Sequence, residues 1–295
     1  MKPRPQRVPI TNRACHPPSA ERSVAVVLPG SGSDEVLVRA AFAEPLRAVG
    51  VALHAVEPRR GADVVAGYRA DLDSALDRAL DEGRQLLVGG VSLGAHVAAA
   101  WAAERLPVAG ARLAGLLLAL PAWTGPPGDA PAALAARATA ALVRAGGVDA
   151  AVTAARAGSP PWLAAELARA WAGYGAGLAD ALDAAAREPA PDAPVLRSLT
   201  APAGIAALAD DPVHPLAVAE HWRRILPRAE RCRATLAAFG ADPAVLGRAA
   251  VLGWLRAAHV ERTRPEGGRF TGSAPAATAP GGGGGRSGAP GPGRR

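Results

Sequence analysis

Lysine is almost missing from this chain. Lys2 is the only one among 33 basic side chains, the rest being arginine, and alanine is used heavily throughout. We read the excess of Ala, Arg, Gly and Pro as a coding bias, so neither an Ala-rich helix nor an arginine cluster argues by itself for a function. Cysteine is also scarce. Cys15 and Cys232 are too few for a disulfide framework, which fits a reducing, cytoplasmic setting. The start of the chain does not join a basic stretch to a long apolar run and a cleavage site. The most apolar run, around Leu116–Leu120, is far below membrane-spanning length, so no membrane partner is expected. There is no His-Glu-x-x-His run and no cysteine or histidine cluster, so neither a metal nor another cofactor is expected.

The formal charge of +7 suggests a polyanion partner until it is located. Lys2, Arg4, Arg7, Arg13 and Arg22 face only Glu21 in residues 1–22, and six arginines face only Glu261 and Glu266 in residues 261–295. The body between them is therefore close to neutral. Without a recognition module, charge of this kind attracts nucleic acid weakly and without sequence preference, so no specific nucleic-acid partner is expected. Both ends are rich in proline or glycine, the second running through Gly281–Gly285, and lack an apolar period. They are expected to be disordered. The remaining residues, 23–260, suffice for one domain with an insertion. Nothing in the sequence sets the oligomeric state.

Within that body short apolar strands alternate with helices. Ser23–Leu28, Val51–Val56, Gln85–Val88 and Leu113–Leu120 are β-rich runs bounded by turn residues. A helix interrupted by Pro45 follows the first and stops at Gly50. Another carries Leu72, Leu76, Ala79 and Leu80 on one face and ends at Gly83. An Ala-rich helix spans about residues 93–106. The alternation breaks at about residues 124–200, where short helices are separated by Gly146-Gly147 and Pro160-Pro161. It resumes with a strand at Gly204–Leu208, a helix from Pro215, a strand at Arg231–Leu236 and a last helix from Asp242-Pro243, with Val245, Ala249, Leu252 and Leu255 as its apolar face. The expected fold is α/β, with a mostly parallel sheet flanked by helices and one helical insertion.

Gly90-Val91-Ser92-Leu93-Gly94 is the most informative stretch. It sits after a buried strand and before a helix, where a serine on a strained turn projects its hydroxyl above the sheet. Positions two before and two after the serine come too close to neighbouring backbone for large side chains, which accounts for both glycines. The helix that starts at once aims its N-terminal amides at a developing negative charge. The competing reading is a glycine-rich strand–helix corner with an incidental serine. Pro29–Ser33 after the first strand is not a phosphate loop: glycine is missing where Glu35 stands, Asp34-Glu35 repels a phosphate, and no lysine is placed for one.

Strand order, the serine turn, the insertion after the fourth strand and the segment Asp210-Asp211-Pro212-Val213-His214-Pro215 together resemble the α/β-hydrolase fold family over about residues 23–258, with the earliest strands of larger members missing. The resemblance implies Ser92 as nucleophile and the backbone amides of Ser31 and Leu93 as oxyanion-hole donors. Pro29 stands where the family has a histidine, a small change because the donor is a backbone group. The resemblance also implies Asp211 as the acid, with Asp210 as the near alternative. The other reading of Asp-Asp-Pro is polar turn chemistry opening a helix.

The base is the difficulty. The family histidine follows the last strand, but Ala237–Asp242 contains none. His16 lies in the tail, His54 in a strand, His259 past the last helix and His221 a turn or more from the acid loop. His96, four residues after Ser92, suits packing or a structural hydrogen bond. His214 remains as a relocated base, beside two alternatives: another group serves, or no conventional base exists.

The insertion is then a helical cap. Its Trp162, Trp171 and Tyr174, with Trp123 just after the fourth strand, either line an apolar substrate pocket or staple small helices to the sheet; Trp123 is the candidate substrate contact. The insertion holds no basic cluster suited to an anionic head group, so a small-molecule neutral ester or thioester is the expected substrate. The primary expectation is a serine hydrolase acting on a carboxylic ester or related acyl bond. A hydrolase-fold protein that binds without turnover, and an acyltransferase using the same serine, are the alternatives.

Overall fold

Ser23–Leu28 (β1) and Gln85–Val91 (β3) pair in parallel at the centre of a six-stranded sheet. The computed structural model describes residues 23–262; the two tails expected from composition, 1–22 and 261–295, lie outside the described residues except for Glu261 and Arg262, which end the last helix. Ala52–Ala55 (β2) flanks β1 on one side. Leu113–Ala119 (β4), Ala203–Leu208 (β5) and Ala229–Ala234 (β6) extend the other side, giving the order β2-β1-β3-β4-β5-β6 with every pair parallel. Alternate residues serve opposite faces. Val26, Leu28, Leu86, Val88, Leu116 and Leu118 face one core cluster, and Ala25, Val27, Leu87, Val91, Leu117 and Ala119 face the other. Burial on both faces explains why these strands read as continuous apolar runs. The edge strands β2 and β6 are the exceptions: both are only partly buried, and the charges of Ala-Glu-Arg-Cys-Arg-Ala in β6 suit an unpaired border.

The helix after β1, Glu35–Ala48 (α1), and the last helix, Ala244–Arg262 (α10), cover one face. Val64–Asp81 (α2) and Leu93–Ala109 (α3) cover the other. The chain leaves β1 towards one face and β3 towards the opposite face, so the two connections part at the carboxyl ends of these neighbouring strands. Parallel sheets bind ligands at such a switch point.

Four expectations about helices need correction. Pro45 does not interrupt α1, which runs through it. Proline removes the donor that the Ala41 carbonyl would receive, and that carbonyl lies instead against the Cα of Gly247 in α10, where a methyl group would not fit. Likewise α3 continues through Pro107 to Ala109. The core face of α10 is also rotated from the expected one. Leu246, Ala250 and Val251 join the expected Ala249 in the core and Leu255 packs against it, while Leu252 is exposed, because Gly247 and Gly253 bring the helix close to α1 and the sheet on that side. On α2, Leu80 is exposed although Leu72, Leu76 and Ala79 are buried.

The insertion is entirely helical: Pro131–Gly158 (α4), Pro161–Tyr174 (α5), Leu178–Arg187 (α6) and Ala193–Ser198 (α7). α4 breaks at Gly146-Gly147, where Gly147 has φ 74°. Leu216–Ile225 (α8) follows β5 and buries Trp222 completely; a side chain of that size contributes on the order of 2–3 kcal/mol through burial. The segment after β6, expected to be a loop, contains a short helix, Leu236–Ala241 (α9), because the Thr235 hydroxyl accepts from the Ala238 amide and caps it.

Candidate active site

Ser92 joins β3 to α3 with φ 53° and ψ −113°, a backbone that side chains other than glycine rarely adopt. Its neighbours show how the chain tolerates this. A Cβ at Gly90 would run into the backbone of Gly94, and one at Gly94 would lie 2.5 Å from the Leu28 carbonyl oxygen and 2.7 Å from that of Pro29. The Ser92 amide donates to the Ala119 carbonyl at 2.9 Å, tying the turn to the end of β4. The strain is held by packing on three sides, the condition under which such a conformation persists. Ser92 is 8% exposed, so the turn is almost fully enclosed by its neighbours.

His214 and Asp211 reach this hydroxyl from the loop after β5. His214 Nε2 lies 2.9 Å from Ser92 Oγ, and His214 Nδ1 lies 2.8 Å from Asp211 Oδ2. The second Asp211 oxygen, Oδ1, accepts from the amides of Val213 at 2.8 Å and His214 at 3.1 Å. Burial disfavours a charge on Asp211, but the His214 hydrogen bond and charge, with these two amides, outweigh it and hold the carboxyl below its ordinary range. An ionised Asp211 accepts the Nδ1 proton, leaving Nε2 free to accept from the serine. Asp210, the near alternative, points elsewhere: its Oδ1 accepts from the Leu236 amide at 2.6 Å, fixing the segment after β6.

The loop after β1 runs past the other side of the serine. A Cβ at Gly30 would lie 3.5 Å from Ser92 Cβ and 3.3 Å from the Val91 carbonyl oxygen. The Ser33 amide donates to the Gly30 carbonyl at 3.1 Å, closing a turn around Ser31 and Gly32, and Gly32 has φ 66° as the third residue of such a turn requires. The Ser31 amide takes no part in that bond. Leu93 is the first residue of α3, so its amide has no intrahelical acceptor.

His96 lies behind the elbow and is fully buried. Its Nε2 accepts from the Ala122 amide at 2.9 Å, which places its proton on Nδ1. Burial, with a smaller effect from His214, pushes its pKa down to about 3, so it stays neutral. Its ring packs edge-on against Trp123 with centroids 4.6 Å apart. Trp123 is itself 7% exposed, and its carbonyl accepts from Trp222 Nε1 at 3.1 Å. The tryptophans of the insertion divide. Trp162 packs edge-on against Phe239 of α9, so the segment where the family histidine was sought meets the cap instead. Trp171 and Tyr174 are buried against the loop after β1. Among the described residues there is no cluster of side chains able to hold a metal ion, and no helix is long and apolar enough to cross a membrane.

The sequence reading did not find the contacts that tie the cap to the loop after β1. Asp34 accepts from Arg169 of α5 through both oxygens at 2.7 Å, across 135 positions of sequence. No local signal marks that pair, because Asp34 satisfies the start of α1 by accepting from the Val36 amide and Arg169 is one arginine among many.

No protein-family model matches this chain, and no curated protein matches it in sequence. Solved structures do. A hydrolase from Pseudomonas aeruginosa PA01 superposes with a TM-score of 0.55 at 20% identity, over 80% of this chain and 91% of that one. A thermophilic esterase from Thermogutta terrifontis gives a TM-score of 0.54 at 19% identity, over 80% and 90% of the two chains. The esterase RhEst1 from Rhodococcus sp. ECU1013 gives 0.52 at 17% identity, over 83% and 90%. The chain has the α/β-hydrolase fold. In the terms of that fold, Ser92 stands at the strand–helix elbow, the insertion α4–α7 lies between β4 and β5, and the histidine facing the serine comes from the loop after β5 rather than after β6.

Proposed function

We propose that the protein is a serine hydrolase that cleaves a carboxylic ester or related acyl bond. The observation that carries this reading is the continuous chain Ser92 Oγ–His214–Asp211, with both contacts below 3 Å. In this reading Ser92 Oγ attacks the substrate carbonyl carbon while His214 Nε2 takes its proton. The imidazolium so formed is held by ionised Asp211 through Nδ1–H. The carbonyl oxygen becomes an oxyanion beside the Leu93 amide, at the positive end of α3, and the Ser31 amide. His214 then passes its proton to the departing alcohol oxygen, which breaks the C–O bond and leaves an acyl-serine. Water repeats the sequence, giving up a proton to His214 and releasing the acid and Ser92.

Trp123, buried with its ring against His96 and its carbonyl bonded to Trp222 of α8, is proposed to form an apolar wall of the acyl site. Neutral acyl groups suit such a wall. The hydrogen-bonded base favours turnover over passive binding, because a binding protein needs neither the strained serine nor the acid beside His214. The test is acid release from p-nitrophenyl esters of increasing acyl length. Wild-type protein should turn over the shorter esters, and Ser92→Ala and His214→Ala should each lose about a thousand-fold or more in kcat. Hydrolysis that persists in Ser92→Ala would refute the assignment.

A further inference from the structure

The turn that carries the Ser31 amide is fixed from two sides. On the elbow side, the carbonyls of Leu28 and Pro29 lie against Gly94, and Gly30 lies against Ser92. On the other side three consecutive residues meet the helical insertion. A Cβ at Gly32 would lie 2.9 Å from Trp171 Nε1, 3.3 Å from Leu182 Cδ2 and 3.5 Å from Leu178 Cδ1. The Ser33 carbonyl accepts from the Tyr174 hydroxyl at 2.7 Å. The Asp34 side chain, 10% exposed, takes the bidentate Arg169 contact, and Glu166 braces the same guanidinium at 2.5 Å and 3.0 Å. Bidentate arginine–carboxylate pairs fix orientation as well as distance. Ser31 is therefore the one residue between an elbow-bound stretch and a cap-bound stretch.

We infer that Arg169 and Tyr174 are positioning residues for the oxyanion hole, so that the cap completes the catalytic site through the Gly30–Asp34 turn as well as covering it. This rests on the serine-hydrolase reading above. The physical demand is strict: an amide stabilises the oxyanion only within hydrogen-bond reach of where the charge develops, and a shift of about 1 Å can cost about a hundred-fold in rate. Arg169 has a second effect at the same place. Unpaired, the Asp34 carboxylate would be a buried negative charge three positions from the Ser31 amide; paired, it is partly offset by a guanidinium that it shares with Glu166.

The experiment uses the full chain with Tyr174→Phe, which removes one hydroxyl, and Arg169→Gln. Ester kinetics are combined with peptide-level hydrogen exchange, which needs no substrate. Arg169→Gln should lower kcat about ten- to a hundred-fold and Tyr174→Phe about five-fold, with KM changed less than about two-fold. Exchange should quicken in residues 30–36 of both variants and stay unchanged in residues 88–96. Unchanged kcat in both variants overturns the inference, even if exchange quickens, because the turn would then be held without consequence for the oxyanion. A loss confined to KM overturns it too, pointing to substrate contact instead. Faster exchange across sheet and cap together would reduce Arg169 to a general stabilising role and also sink it. If wild-type protein shows no serine-dependent turnover, the parent reading fails and the catalytic inference with it; the exchange pattern then still shows whether the turn is held by the cap.

Discussion

Asp211 and His214 stand three residues apart in one loop and are joined side chain to side chain at 2.8 Å. The carboxylate and the imidazole are therefore positioned together. The same Asp211 that orients the imidazole also holds the loop through the amides of Val213 and His214. Its neighbour Asp210 serves a different segment by accepting from Leu236.

That division predicts opposite behaviour for two adjacent carboxylates. Asp211→Asn keeps an oxygen for the loop amides but loses the anion that faces His214, so kcat should fall by about a thousand-fold or more while the fold persists. Asp210→Asn should leave kcat within about three-fold and cost on the order of 1 kcal/mol at most, since its partner is an exposed amide. Ester kinetics and urea denaturation on both variants check this. Equal losses of activity would mean the acid has been misassigned.

The elbow glycines separate stability from chemistry. Gly90→Ala places a methyl group in the Gly94 backbone and should cost several kcal/mol or prevent folding, as expected of forced overpacking. Gly30→Ala meets only ordinary-to-tight contacts, at 3.3 Å and 3.5 Å. It should fold, with a loss of about 1 kcal/mol or less, yet its methyl sits against Ser92 and should slow reaction there by tenfold or so. Thermal melting beside ester kinetics distinguishes the two, and a Gly90→Ala protein as stable as wild type would contradict the described elbow.

His96 sets a pH dependence of stability. Its folded pKa, about 3, lies below the ordinary 6.5. Between these values the unfolded chain binds the extra proton, so stability falls as pH drops through that window, by at most about 1.4 kcal/mol per unit. Asp34 and Asp211 act lower: both are held below the ordinary 3.8, so their contributions are present above it and are lost as pH falls through their lowered values. His96→Gln, which can still accept from Ala122, should flatten the slope between pH 6.5 and 4.5 in urea titrations. An unchanged slope would assign that dependence to another group.

Much of this architecture is local in origin and so could be read from residues alone. Buried parallel strands announce themselves as short apolar runs, and the Gly90–Gly94 spacing reflects contacts that lie within the elbow and the strand beside it. The Asp211–His214 relation is also local, three residues apart, which kept His214 among the candidates although the segment after β6 is empty of histidine. What could not be read depends on distant partners. Pro45 reads as a break until Gly247 lies against the Ala41 carbonyl. The face of α10 depends on which glycines approach the sheet. Arg169 has no local distinction from the many arginines around it, and only the folded cap brings it to Asp34.

The most direct measurement of the central claim is intact-mass analysis after exposure to a fluorophosphonate probe, with wild type, Ser92→Ala and His214→Ala compared under conditions where each is shown to be folded. The account predicts one adduct on wild type, none on Ser92→Ala, and labelling of His214→Ala slowed by about a hundred-fold or more, because a serine without its base is a poor nucleophile. Equal labelling of wild type and His214→Ala, or no adduct on folded wild type, would contradict it.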